Sequence, residues 1–397
     1  MKKICLDFVE LYKREPLLML LLTWVFLIGS TLSVYSTLLL VLLAFNRRNV
    51  LKGIDGFLLF IAIFSTIYSL FTYMNGYYDG AKGDAIFQAV LPPTFYLWGK
   101  WMAKSSTMEQ LFLFLIILVG FIAIPVIIDV INDIKVNQFI NVMRDIERAD
   151  GSKSGSATYL GMRVSLAVAS LGILFSKANN SSERLYVILF GFVGALGATC
   201  VLHLVNRTGL VLGAVSILSV FLLNLRFLSK KAIIIMFASI FLLTYFYIPQ
   251  LEFVDMANEA YLDRSENVGT GGGRTELWEY GIRCLRESPW GVPSSDRYKY
   301  AHNWWLDTSI CGGIFALILL LGITIKHMKD SIIVIRKTEA GLLRSLIISI
   351  NVAFFLTALV EPIMEGYQFY VFLFFMFVGI VQQKKESLHL KCKANGC

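Results

Sequence analysis

An all-α, polytopic membrane helical bundle is the fold class this chain predicts, and three observations predict it. Of its 397 residues, 56% are hydrophobic and only 16% are charged, with a mean hydropathy of +0.66; soluble domains carry about a quarter charged residues. The apolar residues gather in long runs, many near the twenty or so residues a helix needs to cross roughly 30 Å of hydrocarbon. The runs do not alternate apolar and polar positions, so they are helices rather than barrel strands, the only other structure that satisfies every backbone amide in lipid.

In chain order the runs lie at about 17–30, 33–46, 54–73, 86–103, 109–131, 158–176, 185–204, 208–226, 232–249, 303–325, 344–361 and 366–382. The first two adjoin at Gly29-Ser30-Thr31 and form either two short helices or one long tilted one. Counting them as two gives about twelve helices in a single integral membrane domain, residues 1–397. Loop charge supports that count. With the N-terminus inside, the inner connections carry Arg47, Arg48, Lys52, Lys100, Lys104, Lys177, Arg184, Arg226, Lys230, Lys231, Lys326, Lys329, Arg336, Lys337 and Arg344. Lys2, Lys3, Lys13 and Arg14 at the head and Lys384, Lys385, Lys391 and Lys393 at the tail fall on the same side, as the positive-inside rule requires of a cytoplasmic face. Both termini are therefore expected in the cytoplasm. The net charge of +8 is accounted for by topology and does not call for a nucleic-acid partner. Lys2 and Lys3 precede an apolar run with no convincing cleavage site, so the first run is read as an uncleaved helix. The six cysteines, Cys5, Cys200, Cys284, Cys311, Cys392 and Cys397, are scattered without metal-ligand spacing or a disulfide framework.

Two outer segments stand out. One, Asn132 to Ala157, is mixed in charge and ends in a Gly/Ser-rich stretch, Gly151 to Ser156, that reads as flexible. The other is a polar island at 250–302 between two apolar runs. It holds Gly271-Gly272-Gly273, then Arg274, then a stretch in which Leu277, Trp278, Gly281, Cys284 and Leu285 recur at helical spacing. Pro289 and Pro293 end that helix. Free amides, the positive end of the helix dipole and the Arg274 guanidinium suit an anion there, although a glycine-rich linker with a surface arginine has the same local sequence. His302 opens the next apolar run, followed by Asn303, Trp304, Trp305 and Asp307. The tryptophans read as an interfacial belt, and the histidine as a general base or as a satisfied interfacial residue.

Ionisable residues at membrane depth usually face a cavity and carry function. Arg207 is the strongest case, since Val205-Asn206-Arg207 joins two apolar runs with almost no loop. Arg163 sits just inside its run, where snorkelling is the bland alternative. Asp307 lies one turn inside its helix, and Glu361 and Glu365 flank Pro362 at a tight turn. Together these residues describe an outward-open cationic cavity suited to a diphosphate.

The order of these features resembles the O-antigen ligase and polymerase superfamily of bacterial inner membranes. The resemblance rests on Asn206-Arg207 at a helix head, the segment GGGRTELWEYGIRCLRESPWGV from Gly271, and YAHNWWLDTSICGGI from Tyr300, and is close over about Thr199 to Gly313. It implies a GT-C-like bundle with its catalytic loop, 250–302, on the periplasmic face. It further implies inverting, metal-independent glycosyl transfer from an undecaprenyl-diphosphate-linked oligosaccharide, with no cofactor. His302, Arg274 and Arg207 match the signature positions and are the expected catalytic residues; Arg283, Arg163, Asn303, Asp307 and Glu365 are expected to bind substrate, with Asp307 or Glu365 orienting either His302 or a sugar. The product is O-antigen, capsule or exopolysaccharide, and a chain-length-determining co-polymerase is an expected partner besides the lipid bilayer. A polymerase is favoured over a ligase acting on lipid A core because the polar island is compact. A lipid-linked sugar flippase is the transporter alternative, disfavoured because no internal repeat is visible. A structural membrane subunit is the third class, disfavoured because it does not require a loop-less arginine.

Overall fold

A computed structural model describes residues 6–7, 9–10, 53–78, 82–137, 145–147, 153–225, 274–297, 299–339, 341–361, 363 and 368–394. Its helices are α1 Gly56–Met74, α2 Lys82–Ser105, α3 Met108–Asn137, α4 Ala157–Ala169, α5 Ser181–His203, α6 Arg207–Asn224, α7 Arg274–Glu287, α8 Trp304–Lys337, α9 Leu342–Val360 and α10 Gln368–Ala394. Among the described residues seven of these segments are long and apolar enough to cross a membrane: α1, α3, α4 with the turn that continues it to Phe175, α5, α6, α8 and α9. The protein is a multi-pass membrane protein. The runs expected at 17–30, 33–46 and 232–249, and with them part of the count of twelve, lie outside the described residues.

Helices α2 and α10 match expected runs but are less apolar than the seven, and their packing gives the reason. Lys100 of α2 is buried and donates to Asp55 Oδ2 at 2.7 Å and to Glu386 Oε1 at 2.9 Å. The backbones of α2 and α10 touch where a Cβ on Gly99 would strike the Met376 carbonyl and one on Gly379 the Tyr96 carbonyl. Small residues that let backbones meet are a usual device for helices packed in lipid. Being covered by protein, α2 tolerates a charge and a Pro92-Pro93 pair that a lipid-facing helix would not.

The chain forms two compact units. One comprises Met1–Phe121, Arg274–Thr338 and Ala358–Cys397; the other Ile122–Gly273 and Glu339–Thr357. In the first, α1 starts at Asp55, whose side chain accepts from Leu58 N at 2.7 Å. Its Phe64 ring packs on Phe375 of α10, and Phe57 meets Tyr96 of α2 edge-on. In the second, α4, α5 and α6 pack through glycines: Gly197 lies against Ala167 and Val168, and Gly172 against Ser216. Ser216 Oγ donates to Ala169 O at 2.5 Å.

The architecture is not purely helical. Lys153–Ser156 pairs antiparallel with Asp145–Glu147, so part of the Gly/Ser stretch expected to be flexible is a strand. Ile146 at its centre is fully buried, and that burial gives the short ladder an apolar anchor.

Candidate active site

Helix α7 covers the stretch read as helical from its sequence, and Glu276 sits in its first turn, where an acid favours the helix dipole. Its narrow apolar side packs on α8: Gly281 meets Leu306 and Ala301, and Cys284 joins Val292, Ala301 and Ile310 in a small core. The island helix is therefore tied to the bundle.

Helix α8 departs from the expected single spanning helix at 303–325. Trp305 Nε1 donates to Thr324 Oγ1 at 3.2 Å, although the two are 19 residues apart. On one straight helix they would be separated by about 28 Å. The chain doubles back at Gly313, whose φ of 75° and ψ of −176° are not helical. Trp304 and His327 accordingly both pack on the Phe374 ring, at 5.0 and 5.3 Å between centroids. Residues 304–312 form a short helix folded against 314–337, and 314–337 remains long enough to span. Trp304 is buried against protein rather than standing in an interfacial belt.

His302 lies at the foot of this doubled-back helix. Its φ is 52°, a left-handed conformation uncommon outside glycine. Asn303 caps the short helix, accepting from Leu306 N at 3.2 Å, while its Nδ2 donates to Leu359 O at 3.4 Å. Asp307, with no exposed surface, accepts from Ala301 N at 2.7 Å and from Asn303 N at 3.1 Å. Arg274, at the head of α7, reaches Glu361 Oε1 at 3.6 Å. Burial, and then the nearby Arg274 charge, lower the His302 pKa below the ordinary histidine value of 6.5. A histidine so placed is neutral at pH 7 and free to accept a proton.

Arg207 and Arg163 belong to the second unit. Asn206 caps α6 by accepting from Gly209 N at 2.9 Å and ties the head of α6 to that of α4 by donating to Ala157 O at 2.9 Å. Only a glycine at 161 leaves room for the Asn206 amide. Arg207 is half-buried in the first turn of α6, and Arg163 is half-buried on α4 with its guanidinium 5.9 Å from the Tyr159 ring. Val205, just before this head, has a φ of 47°. His203 and Asp133 form a buried contact of 2.7 Å at the same end.

The structure thus brings Arg274, His302, Asn303 and Asp307 together and adds two residues. Glu361 pairs with Arg274, and Arg297 lies 3.7 Å from Asp307. Glu361 was visible as an acid at a membrane-helix end, but its partner was not; Arg297 gave no signal, being one of several charges in an irregular stretch. Arg283 is exposed, nine residues beyond Arg274 and so about 13 Å along α7. Glu365 lies outside the described residues. Asn303, expected to bind substrate, and Asp307, expected to orient His302 or a sugar, both bond to backbone.

No curated protein matches the chain. Residues 192–321, from within α5 to within α8, match the model of a family described as O-Antigen ligase. That segment contains Arg207, Arg274 and His302, and the match supports placing the chain in the O-antigen ligase/polymerase superfamily.

Proposed function

We propose that the protein is a surface-polysaccharide polymerase. It transfers a glycan from undecaprenyl diphosphate to a hydroxyl of a second lipid-linked repeat unit, on the periplasmic face of a bacterial inner membrane. The observation that carries this reading is a half-buried His302 in the same compact unit as Arg274, near enough that the guanidinium charge, after burial, lowers the histidine pKa. A base that is uncharged at neutral pH and a permanent cation next to it are the two groups the reaction needs.

The acceptor oxygen attacks the anomeric carbon opposite the leaving group as its proton passes to His302. The bond from that carbon to the diphosphate oxygen breaks, and its electron pair leaves on the diphosphate. Configuration inverts. Arg274 meets the developing charge with several donors in a rigid fork, and Glu361 holds that fork in place from its other side. The resemblance assigns Arg207 the same task; it stands in the other unit, and its own variant tests its share. Arg163 and Glu365 are proposed to contact substrate, and Arg283, farther along α7, to meet more distant parts of it.

A second reading, ligation to lipid A core, is favoured by the description of the matching family. Compactness of the polar island favours the polymerase. Turnover of purified protein with a defined undecaprenyl-diphosphate oligosaccharide decides between them. A second donor molecule serving as acceptor, with lipid A core inert, is the expected result. Transfer to lipid A core alone establishes the ligase, and no transfer to either acceptor overturns both readings.

A further inference from the structure

We infer that Asp307 is the positioning residue for His302 and that Arg297 locks Asp307 in place. The inference rests on the reading of His302 as the base. Asp307 grips the backbone on both sides of that residue: its Oδ1 accepts from Ala301 N at 2.7 Å and its Oδ2 from Asn303 N at 3.1 Å. Between the two gripped amides lies the one residue of the segment with left-handed backbone, His302 at φ 52°.

An ordinary helix cap does not account for this. The cap of α8 is Asn303, whose Oδ1 already accepts from Leu306 N at 3.2 Å. A side chain reaching back to the cap amide is like the second half of a capping box, although Asp307 stands one position beyond the usual one, and it explains at most the bond to Asn303 N. The bond to Ala301 N, two residues outside the helix, serves no cap. Its effect, together with the bond to Asn303 N, is to pin the 300–301 and 302–303 peptides that bracket His302, and so to restrict the direction in which the imidazole projects. Nor is Asp307 placed to touch substrate, since none of its surface is exposed.

A fully buried carboxylate needs a counter-charge, and Arg297 supplies it at 3.7 Å. That guanidinium is itself buried; it lies 3.8 Å from the Tyr300 ring and 5.2 Å from that of Tyr77, and donates through Nη1 to Cys311 Sγ at 3.3 Å. Arg297 thereby ties the histidine-bearing loop to Cys311, next to the reversal of α8.

The test compares wild type with Asp307→Asn, which keeps the size but turns one acceptor into a donor that opposes an amide. A misplacement on the order of 1 Å costs up to about 100-fold in rate. The expected result is a kcat loss approaching that factor with donor KM within about two-fold of wild type. Hydrogen-exchange mass spectrometry of the purified protein should show faster exchange across 299–304 while 314–337 is unchanged. Arg297→Gln should give a smaller kcat loss in the same direction, and it alone decides if Asp307→Asn does not fold. The inference is overturned if kcat is retained, if KM rises instead, or if protection is lost throughout α8. Should the wild type turn over no lipid-diphosphate donor, the proposed reaction falls, and the exchange pattern still decides whether Asp307 clamps the loop.

Discussion

Two non-glycine residues among those described have positive φ: Val205, two residues before Arg207, and His302 itself. Such backbone costs on the order of 1–3 kcal/mol and persists only where the surroundings impose it, which is commonly at functional positions. At this scale the chemistry makes a sharp forecast. Arg274→Ala and His302→Ala each abolish polymer while leaving protein abundance normal; a full glycan ladder on a gel from both variants refutes the assignment. The pH dependence follows from the His302 shift. Its folded-state pKa is depressed, by burial first and by Arg274 second, so the neutral base is present at pH 7 and is lost only as pH falls through a value below 6.5. Turnover should therefore persist into mildly acidic solution. Arg274→Gln, which removes the second cause, should move the acid limb of its residual kcat/KM upward; measurement between about pH 5 and pH 8, spanning the ordinary histidine range, checks the direction.

Among elements, the reversal of α8 has the largest consequence. Gly313 permits it for two reasons. Its φ of 75° suits glycine, and a Cβ there would sit 2.8 Å from both the Pro289 carbonyl oxygen and the Trp290 carbonyl carbon. Ile314 N also donates to Pro289 O at 2.8 Å, so backbone fills the space a side chain would need. Gly313→Ala should destabilise the protein by roughly 1–3 kcal/mol and reduce polymer output. Gly322→Ala makes the control: a helical glycine whose added Cβ meets only the tip of the Phe60 ring, at 3.0 Å. Thermal unfolding in detergent should lower the midpoint clearly for the first and little for the second; equal midpoints would remove the special role of Gly313. From sequence the reversal was illegible. Residues 303–325 are apolar enough throughout to read as one span, and a Gly-Gly pair occurs in many straight membrane helices.

On the scale of the whole molecule, the charge pattern predicts that the connections after α2, α4, α6 and α8 are cytoplasmic and the α7–α8 segment periplasmic. In a background without native cysteines, Lys299→Cys should react with a membrane-impermeant maleimide in intact spheroplasts, and Lys337→Cys only after permeabilisation. The reverse pattern would place the candidate base on the wrong side for a periplasmic reaction.

The extent of the membrane helices was legible in the sequence because the length and apolarity of each run are local properties: the run at 54–73 became α1, Gly56–Met74, and that at 208–226 became α6, Arg207–Asn224. The roles proposed for Arg207, Arg274 and His302 came from the resemblance that their motifs bear to the O-antigen ligase and polymerase superfamily, and the motifs themselves are properties of the chain alone. Tertiary structure decided what those residues touch. Glu361 comes 87 residues after its partner Arg274, and Asp307, which the sequence left between orienting His302 and orienting a sugar, bonds to the backbone on both sides of His302. Contacts of that kind are made by the folding back of one helix at Gly313 and by the docking of α7 on it, and no hydropathy or spacing within a run encodes where a distant segment will come to rest.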